Sequence, residues 1–436
     1  MKKIFASAGL LALGASANYA AGSMGGATAE KPWDASLTVR GFYDDNYYLA
    51  SQSADRKSSF GLEVRPSVGI SLAGQQTSFG ARYTYSMRYY DDRKQNTADH
   101  SHEFNAWLWH SFSERFSLDA TDTFLISQEP TLLEPDGITT RRSNGNNMRN
   151  DGTVKLHAQL TRLVELVLGY RNVLIDYENK GATVNPGIPT IIPTTVSPSY
   201  SGLLDRMEHY LNIDLRWQFR PETVGLVGYQ FGFNNYMGKE PIGVIDPYGS
   251  SILIPSDSRN SRSHYVYVGV EHSFLRNLVG SVRAGVQFVS YYNSPTSDEA
   301  LSPYVDLSLR YNYTTGSFVE LGFQHQRNAT DGFSVGTDSI TTDQESSSVY
   351  AAITHAITPK LIGNLNGRYQ WSTYNGGSAL YDGQTDNVFL LGVSLEYRFN
   401  RHFSAEVGYN YDVVTSSIVG RDYDRNRVFL GMTASY

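Results

Sequence analysis

From residue 36 to residue 436 the chain repeats one arrangement. A segment that alternates apolar and polar residues is followed by a connection, and the connections are in turn very short and long. Phe60, Leu62, Val64, Pro66, Val68, Ile70 and Leu72 are separated by Gly61, Glu63, Arg65, Ser67, Gly69 and Ser71. Phe79, Ala81, Tyr83, Tyr85, Met87 and Tyr89 repeat the pattern, as do the stretches 207–219, 305–313, 389–399 and 403–413. Alternation of this kind puts one set of side chains on each face of a sheet. About eighteen such segments can be counted, from 36–47 to 426–436, and almost nothing has a helical period. The short connections are tripeptides such as Gly74-Gln75-Gln76, Arg220-Pro221-Glu222 and Asn400-Arg401-His402, whereas the long ones include 128–150, 178–205, 237–262 and 328–346. Tight turns at one rim and long loops at the other are what an up-and-down membrane barrel requires. A soluble sandwich has no reason to keep that parity. The pattern predicts an all-β fold, a transmembrane up-and-down antiparallel β-barrel of about eighteen strands over residues 36–436.

The two faces differ as such a barrel demands. The apolar set faces lipid, and Tyr43, Tyr89, Phe112, Phe116, Phe219, Tyr313, Phe399 and Phe403 stand where aromatic girdles belong. The other set is expected to line a wet lumen. It holds Arg40, Glu63, Arg65, Arg82, Arg88, Glu103, Arg171, Glu208, Asp214, Arg216, Arg283, Asp306, Arg310, Glu320, Arg368, Glu396, Arg398 and Glu406. A dry protein core cannot absorb so many charges. Trp107 and Trp109, with Tyr90, Tyr210, Tyr265 and Tyr267, share that lumenal parity. They could stack on sugar faces or pack against inward loops.

The ends carry separate information. Lys2 and Lys3, the apolar run Ile4–Ala17 and the small residues Ala15-Ser16-Ala17 read as a secretory signal peptide over 1–17, followed by a flexible periplasmic leader over 18–35. No later run of about 18 apolar residues could form a membrane helix. The last residues, Val428 to Tyr436, alternate up to a terminal aromatic. In lipid an unpaired strand edge has no water to bond, so the last strand is expected to pair with the first. The implied surroundings are outer-membrane lipid and lipopolysaccharide, reached with the help of a barrel-assembly machinery. The net charge of −7, with dispersed basic residues, argues against nucleic acid. The absence of cysteine removes disulfides, thiolate metal sites and cysteine nucleophiles.

No cofactor, metal or catalytic set is expected from the motifs. Asp99-His100-Ser101-His102-Glu103 is a polar loop and strand start rather than a complete ligand set. The pairs Asp44-Asp45 and Asp422/Asp424 lack the ligand number that calcium needs. An outer-wall esterase would need a Ser, a His and an orienting amide or acid on the lipid face. His325 and His355 have that parity, but the sequence places no serine beside either.

One set of motifs resembles a known family. "GFYDDNYYLA" (Gly41–Ala50) is followed by "FGLEVRPSVGISLAG", and then by a Tyr-rich segment that leads through an acidic loop to a Glu-Pro near residue 130. This order resembles the outer-membrane porin family often called beta-barrel porin type two. There an Asp-Asn pair ends the first strand, as Asp45-Asn46 does here, and a proline marks the second, as Pro66 does. The resemblance covers residues 36–130; beyond them only the architecture is shared. It implies a porin-like channel for polar solutes, most specifically one exporting a secreted polysaccharide, with a carbohydrate polymer and a periplasmic exporter as partners. A general diffusion porin, narrowed by 178–205 or 237–262, and a plugged barrel acting through its loops are the alternatives. Physically, Asp45-Asn46 could simply turn the strand into its loop.

Overall fold

The computed structural model describes residues 31–51, 55–128, 131–133, 140–143, 146–296, 299–336 and 339–436. The expected signal peptide and most of the leader lie outside these residues. Eighteen antiparallel strands form one sheet. The first nine are β1 (Trp33–Asp44), β2 (Ser59–Ala73), β3 (Thr77–Tyr90), β4 (Ala98–Ser111), β5 (Phe116–Ser127), β6 (Asn147–Gln159), β7 (Val164–Tyr177), β8 (Arg206–Arg220) and β9 (Thr223–Tyr236). The second nine are β10 (Ser261–Leu275), β11 (Leu278–Ser290), β12 (Glu299–Thr314), β13 (Ser317–Asn328), β14 (Asp343–Ala356), β15 (Leu361–Asn375), β16 (Thr385–Arg398), β17 (Phe403–Ser416) and β18 (Tyr423–Ser435). Each pairs with its neighbours in sequence, and β1 pairs with β18 from Ser36↔Ser435 to Asp44↔Arg427. The sheet therefore closes into a barrel, and neither the first nor the last strand is left as an open edge.

The first strand departs from expectation at both ends: it begins at Trp33, inside the expected leader, and stops at Asp44. The extra residues meet the chain's tail. Ala35 and Tyr436 exchange backbone hydrogen bonds of 3.2 and 2.8 Å, and the Trp33 and Tyr436 rings lie 5.4 Å apart. The other end of the β1–β18 junction is held by polar groups. Asp44 Oδ2 accepts from Arg425 Nε at 2.9 Å and Nη2 at 2.5 Å. Asp45 accepts from the Asn426 amide N–H and side chain at 2.6 and 2.7 Å. Asn46 Nδ2 donates to the carbonyl oxygens of Asp424 and Ala50. The Asp-Asp-Asn triplet thus fastens the first strand to the last as well as turning the chain. Pro66 also has a structural reason: the β2–β3 ladder has no rungs between Val64↔Met87 and Ser67↔Thr84, because proline has no N–H to give.

One junction opens at the long-loop rim. β11 and β12 stay paired up to Ser290↔Glu299, and β13 and β14 up to Asn328↔Gln344, but the β12–β13 ladder ends at Val305↔His325. The upper part of β13 has left the wall, and Gln287 shows which way it went. The Gln287 side chain, on the concave face of β11, accepts from the Arg327 amide N–H at 2.8 Å and donates to the Arg327 carbonyl at 3.1 Å. It replaces the missing strand partner. The tip of the β13–β14 hairpin is folded into the barrel.

Candidate channel interior

The concave face can be recognised from contacts that skip a strand. Arg40 on β1 reaches Glu406 on β17 across β18 at 2.7 Å. Arg82 on β3 reaches Asp34 on β1 at 2.7 Å, and Arg216 on β8 reaches Glu271 on β10 at 2.5 Å. Side chains two strands apart meet this way only where the strand normals converge. The sequence-predicted lumenal residues share this face, and most are neutralised by a neighbour. Glu63 lies 3.4 Å from Arg40 and 3.1 Å from Arg88. Arg171 pairs with Asp151 at 2.7 Å, Arg310 with Glu320 at 2.9 Å and Arg398 with Glu396 at 3.2 Å. Arg206 holds Glu208 at 2.7 Å, Asp214 accepts from the Tyr267 hydroxyl at 2.6 Å, and Arg283 stands opposite Asp306 in the β11–β12 register. Glu103 accepts from Asn105, and Arg368 donates to Ser348. Arg65 is aligned with Thr38 of β1.

The six aromatics named from sequence divide by environment. Tyr90, Tyr265 and Tyr267 are packing residues: Tyr90 sits among Phe42, Tyr47 and Arg93, and the other two sit with Leu226 and Tyr304. Trp107 lies flat over Gly80, where a Cβ would come within 2.3 Å of its indole nitrogen. Trp109 is 37% exposed, and Tyr210 borders an interior cavity.

The expectation of a uniformly polar interior does not hold near the long-loop rim. Val388, Leu390 and Val414 are buried with Leu49 and Tyr423, and Val173, Ile175 and Tyr177 with Leu204. A signal for this exists in the sequence. Val388-Phe389-Leu390-Leu391 and Val173-Leu174-Ile175 are unbroken apolar runs, and such runs are buried on both faces. What buries the inner faces is loop. Long segments 178–205 and 237–262 carry structure of their own: a short helix α1 (Tyr200–Leu204) in one, and paired segments Pro241–Ile245 and Ile252–Pro255 in the other. They join residues 329–336 and 339–342 in a shared core of Ile242, Ile254 and Ile340, against which Leu203, Phe333 and Val335 pack. Arg259, fully buried, ties the three together. It donates to the carbonyls of Leu203 at 2.5 Å and Thr330 at 3.3 Å, and its guanidinium lies 4.3 Å from the Tyr236 ring. A cavity of about 40 Å³ remains between the folded-in tip and the wall, lined by Glu208, Tyr210, Asn234, Ser261, Tyr291 and Asn328. Asn234 Oδ1 and Asn328 Nδ2 have no protein partner.

The α1 segment is expected to respond to pH through Asp205. Burial, and then the neighbouring Asp176 carboxyl, raises Asp205 to about 7, against hydrogen bonds from Ser201 and the Tyr177 N–H that lower it. The unfolded reference is about 3.9. The protonated form is therefore favoured in the folded loop. Its contribution is complete below about pH 3.9 and is lost as pH rises through 7. Amide exchange across 199–205, corrected for intrinsic rate, should be less protected at pH 8 than at pH 5. Asp205→Asn should abolish the difference; equal protection at both pH values in the parent protein would contradict this reading.

The remaining candidates are not brought together. His100 and His102 face outward and bond Tyr85 and Tyr83 across the sheet, while Asp99 and Glu103 face inward. Asp44 and Asp45 are taken up by Arg425 and Asn426, and Asp424 by Arg56. No cluster of three or more His, Cys, Asp or Glu suited to a metal ion occurs among the described residues. His325, in contrast, has a serine beside it that the sequence did not place: Ser347, directly opposite in the β13–β14 register.

Solved structures align with most of the chain at low identity, each with a TM-score under 0.5. A BenF-like porin from Pseudomonas fluorescens Pf-5 is 10% identical, covers 93% of this chain and 99% of its own, and has a TM-score of 0.46. The outer membrane protein opdK from Pseudomonas aeruginosa gives 12%, 93%, 99% and 0.46. The siderophore receptor PiuA from Acinetobacter baumannii is 10% identical over 94% of this chain and 82% of its own, with a TM-score of 0.47. No curated protein matches the chain. The family model described as "Putative beta-barrel porin 2" matches residues 257–436, from the loop before β10 to the last residue, whereas the motifs that carry the resemblance in the sequence lie at 36–130. The protein is a closed eighteen-strand antiparallel β-barrel, and residues 257–436 of it are similar to the family described as beta-barrel porin 2.

Proposed function

We propose that the barrel passes neutral, hydroxyl-rich solutes, and specifically that it exports a secreted polysaccharide delivered by a periplasmic exporter. The supporting observation is the local pairing of charge on the concave face. Each arginine near a carboxylate, as in Arg40–Glu63–Arg88 or Arg171–Asp151, leaves a surface that offers hydrogen bonds without a strong field of one sign. Such a surface holds sugars weakly and repeatedly, as conduction requires. The twenty lumenal residues named from sequence, Trp107 and Trp109 included, line the path in this reading. The unpartnered Asn234 Oδ1 and Asn328 Nδ2 offer hydrogen bonds to a passing hydroxyl. The core formed by the three long loops favours a second reading, a plugged barrel acting through its outer surface.

Planar-bilayer recording with the purified protein separates the two. The channel reading expects discrete conductance that is reduced by added oligosaccharide, and a plugged barrel gives none. Converting Arg65, Arg82 and Arg88 together to Gln should move ion preference toward cations. A change in lumen potential of about one kT corresponds to roughly a sevenfold change in the cation/anion ratio. An unchanged reversal potential would remove these side chains from the path.

A further inference from the structure

On the outward parity of β13 and β14, at the level where the hairpin leaves the wall, Ser347 Oγ lies 2.6 Å from His325 Nδ1, and His325 Nε2 lies 3.0 Å from Glu345 Oε1; Ser347 itself is 5% exposed. Glu345 is held in turn by Arg327, whose Nη2 is 3.2 Å from its other oxygen. A hydroxyl beside a histidine is not remarkable by itself in this sheet. His102 with Tyr83, His209 with Tyr170 and His272 with Thr223 are outward-facing pairs of the same kind, each at 2.8 Å. They are ordinary cross-strand partners. His325 differs at its second ring nitrogen. Among the described residues it alone joins a hydroxyl on one nitrogen to a carboxylate on the other.

We propose that Ser347 and His325 are the nucleophile and general base of an ester-cleaving site on the lipid-facing wall, that Glu345 positions the base, and that the substrate is an acyl ester of outer-leaflet lipid. With its Nε2 proton held by Glu345, the imidazole presents the Nδ1 lone pair to Ser347, which is what a base needs whichever nitrogen serves. The location fits the substrate. His325 lies three residues from the end of β13 and Ser347 four from that of β14, at the level where the β12–β13 ladder stops and the hairpin tip turns inward. Below them Val349 and Leu321 continue the exposed apolar wall, and Trp371 flanks Ser347 on β15. Beside them the β12–β13 ladder has just ended, so the β12 edge above Val305 has no strand partner on that side. Backbone N–H groups on such an edge are the donors that a developing oxyanion requires; Pro303 among them has none.

The reaction balances without a redox partner. Ser347 Oγ bonds to the ester carbonyl carbon as its proton passes to His325 Nδ1. The carbon–oxygen bond to the alcohol then breaks, and the alcohol leaves with that proton. Water repeats the sequence on the acyl-serine, giving one fatty acid and one lysolipid per ester and per water.

The test uses the folded full-length barrel in vesicles of phosphatidylethanolamine and phosphatidylglycerol, with a fluorophosphonate probe. Labelling is expected on Ser347 and release of free fatty acid into the vesicles. Ser347→Ala and His325→Asn should each lose more than about 1,000-fold in rate, with the heat-sensitive gel mobility of the closed barrel unchanged. Glu345→Gln should slow the reaction and displace its pH profile, which a merely structural carboxylate would not do. Because the chain has no cysteine, Ser347→Cys supplies a single thiol. Its alkylation by iodoacetamide should fall at least tenfold when His325→Asn is added. Labelling that persists in Ser347→Ala, fatty-acid release no greater than from that variant, or alkylation indifferent to His325 would overturn the assignment.

Discussion

Arg425→Met should destabilise the closed barrel by about 3–5 kcal/mol, the usual loss when one partner of a buried ion pair is removed and the other stays. Asp44 is fully buried and receives two hydrogen bonds from Arg425. Without them its carboxylate keeps the Asn46 N–H at 3.1 Å and the charge of nearby Arg427. The measurement is urea unfolding in lipid, read as the fraction of compact, heat-sensitive barrel on a gel. The double variant Asp44→Leu/Arg425→Met should recover much of the loss, because two apolar groups of similar volume leave nothing unpaired. A single variant that loses less than about 1 kcal/mol would mean the pair is an ordinary surface bridge and that the junction is held by its ladder alone.

Removing residues 241–255 should raise single-channel conductance severalfold, and Arg259→Ala should give part of the same increase. These residues supply Ile242 and Ile254 to the core shared with Ile340. Burial of such side chains is worth roughly 2–5 kcal/mol each when they are cut to alanine. Arg259→Ala leaves the carbonyls of Leu203 and Thr330 without that donor. Each orphaned buried acceptor costs about 1–3 kcal/mol. With the core gone, 178–205, 329–336 and 339–342 lose the surface that draws them together over the lumen. An eighteen-strand barrel left open is wide enough for an aqueous channel. Bilayer recordings in symmetric salt would show the increase as a larger unitary step. Steps of unchanged size would place the three loops outside the conducting path.

The wall of this protein is legible in its sequence because a single local rule governs it. Period-two alternation assigns each residue to a face, and the parity of loop lengths assigns each turn to a rim. Thus Arg82 and Tyr83 could be separated without any knowledge of register. The mouth is not legible in this way. Leu49 reaches Val388 and Val414, and Arg259 reaches Leu203 and Thr330, through contacts between segments far apart in sequence that no local period encodes. The apolar runs 388–391 and 173–175 announce burial on both faces but not by what. Ser347 was missed for a third reason. Its register with His325 depends on how many residues of a long loop are consumed before β14 begins, and composition does not fix that number. Asp45-Asn46 turns the chain out of its first strand, as those residue types announce. Its larger task, gripping Asn426 and the Asp424 carbonyl, needed the far end of the chain in view.

The β1–β18 junction also dictates an order of events. Ser36 meets Ser435, so this ladder joins residues separated by nearly the whole polypeptide. Every other junction is a hairpin whose halves are near neighbours along the chain. Loop-closure entropy makes such distant pairing slow. Sealing the cylinder is therefore the final step of its maturation, and until then the curled ribbon exposes two sticky margins to any other strand nearby.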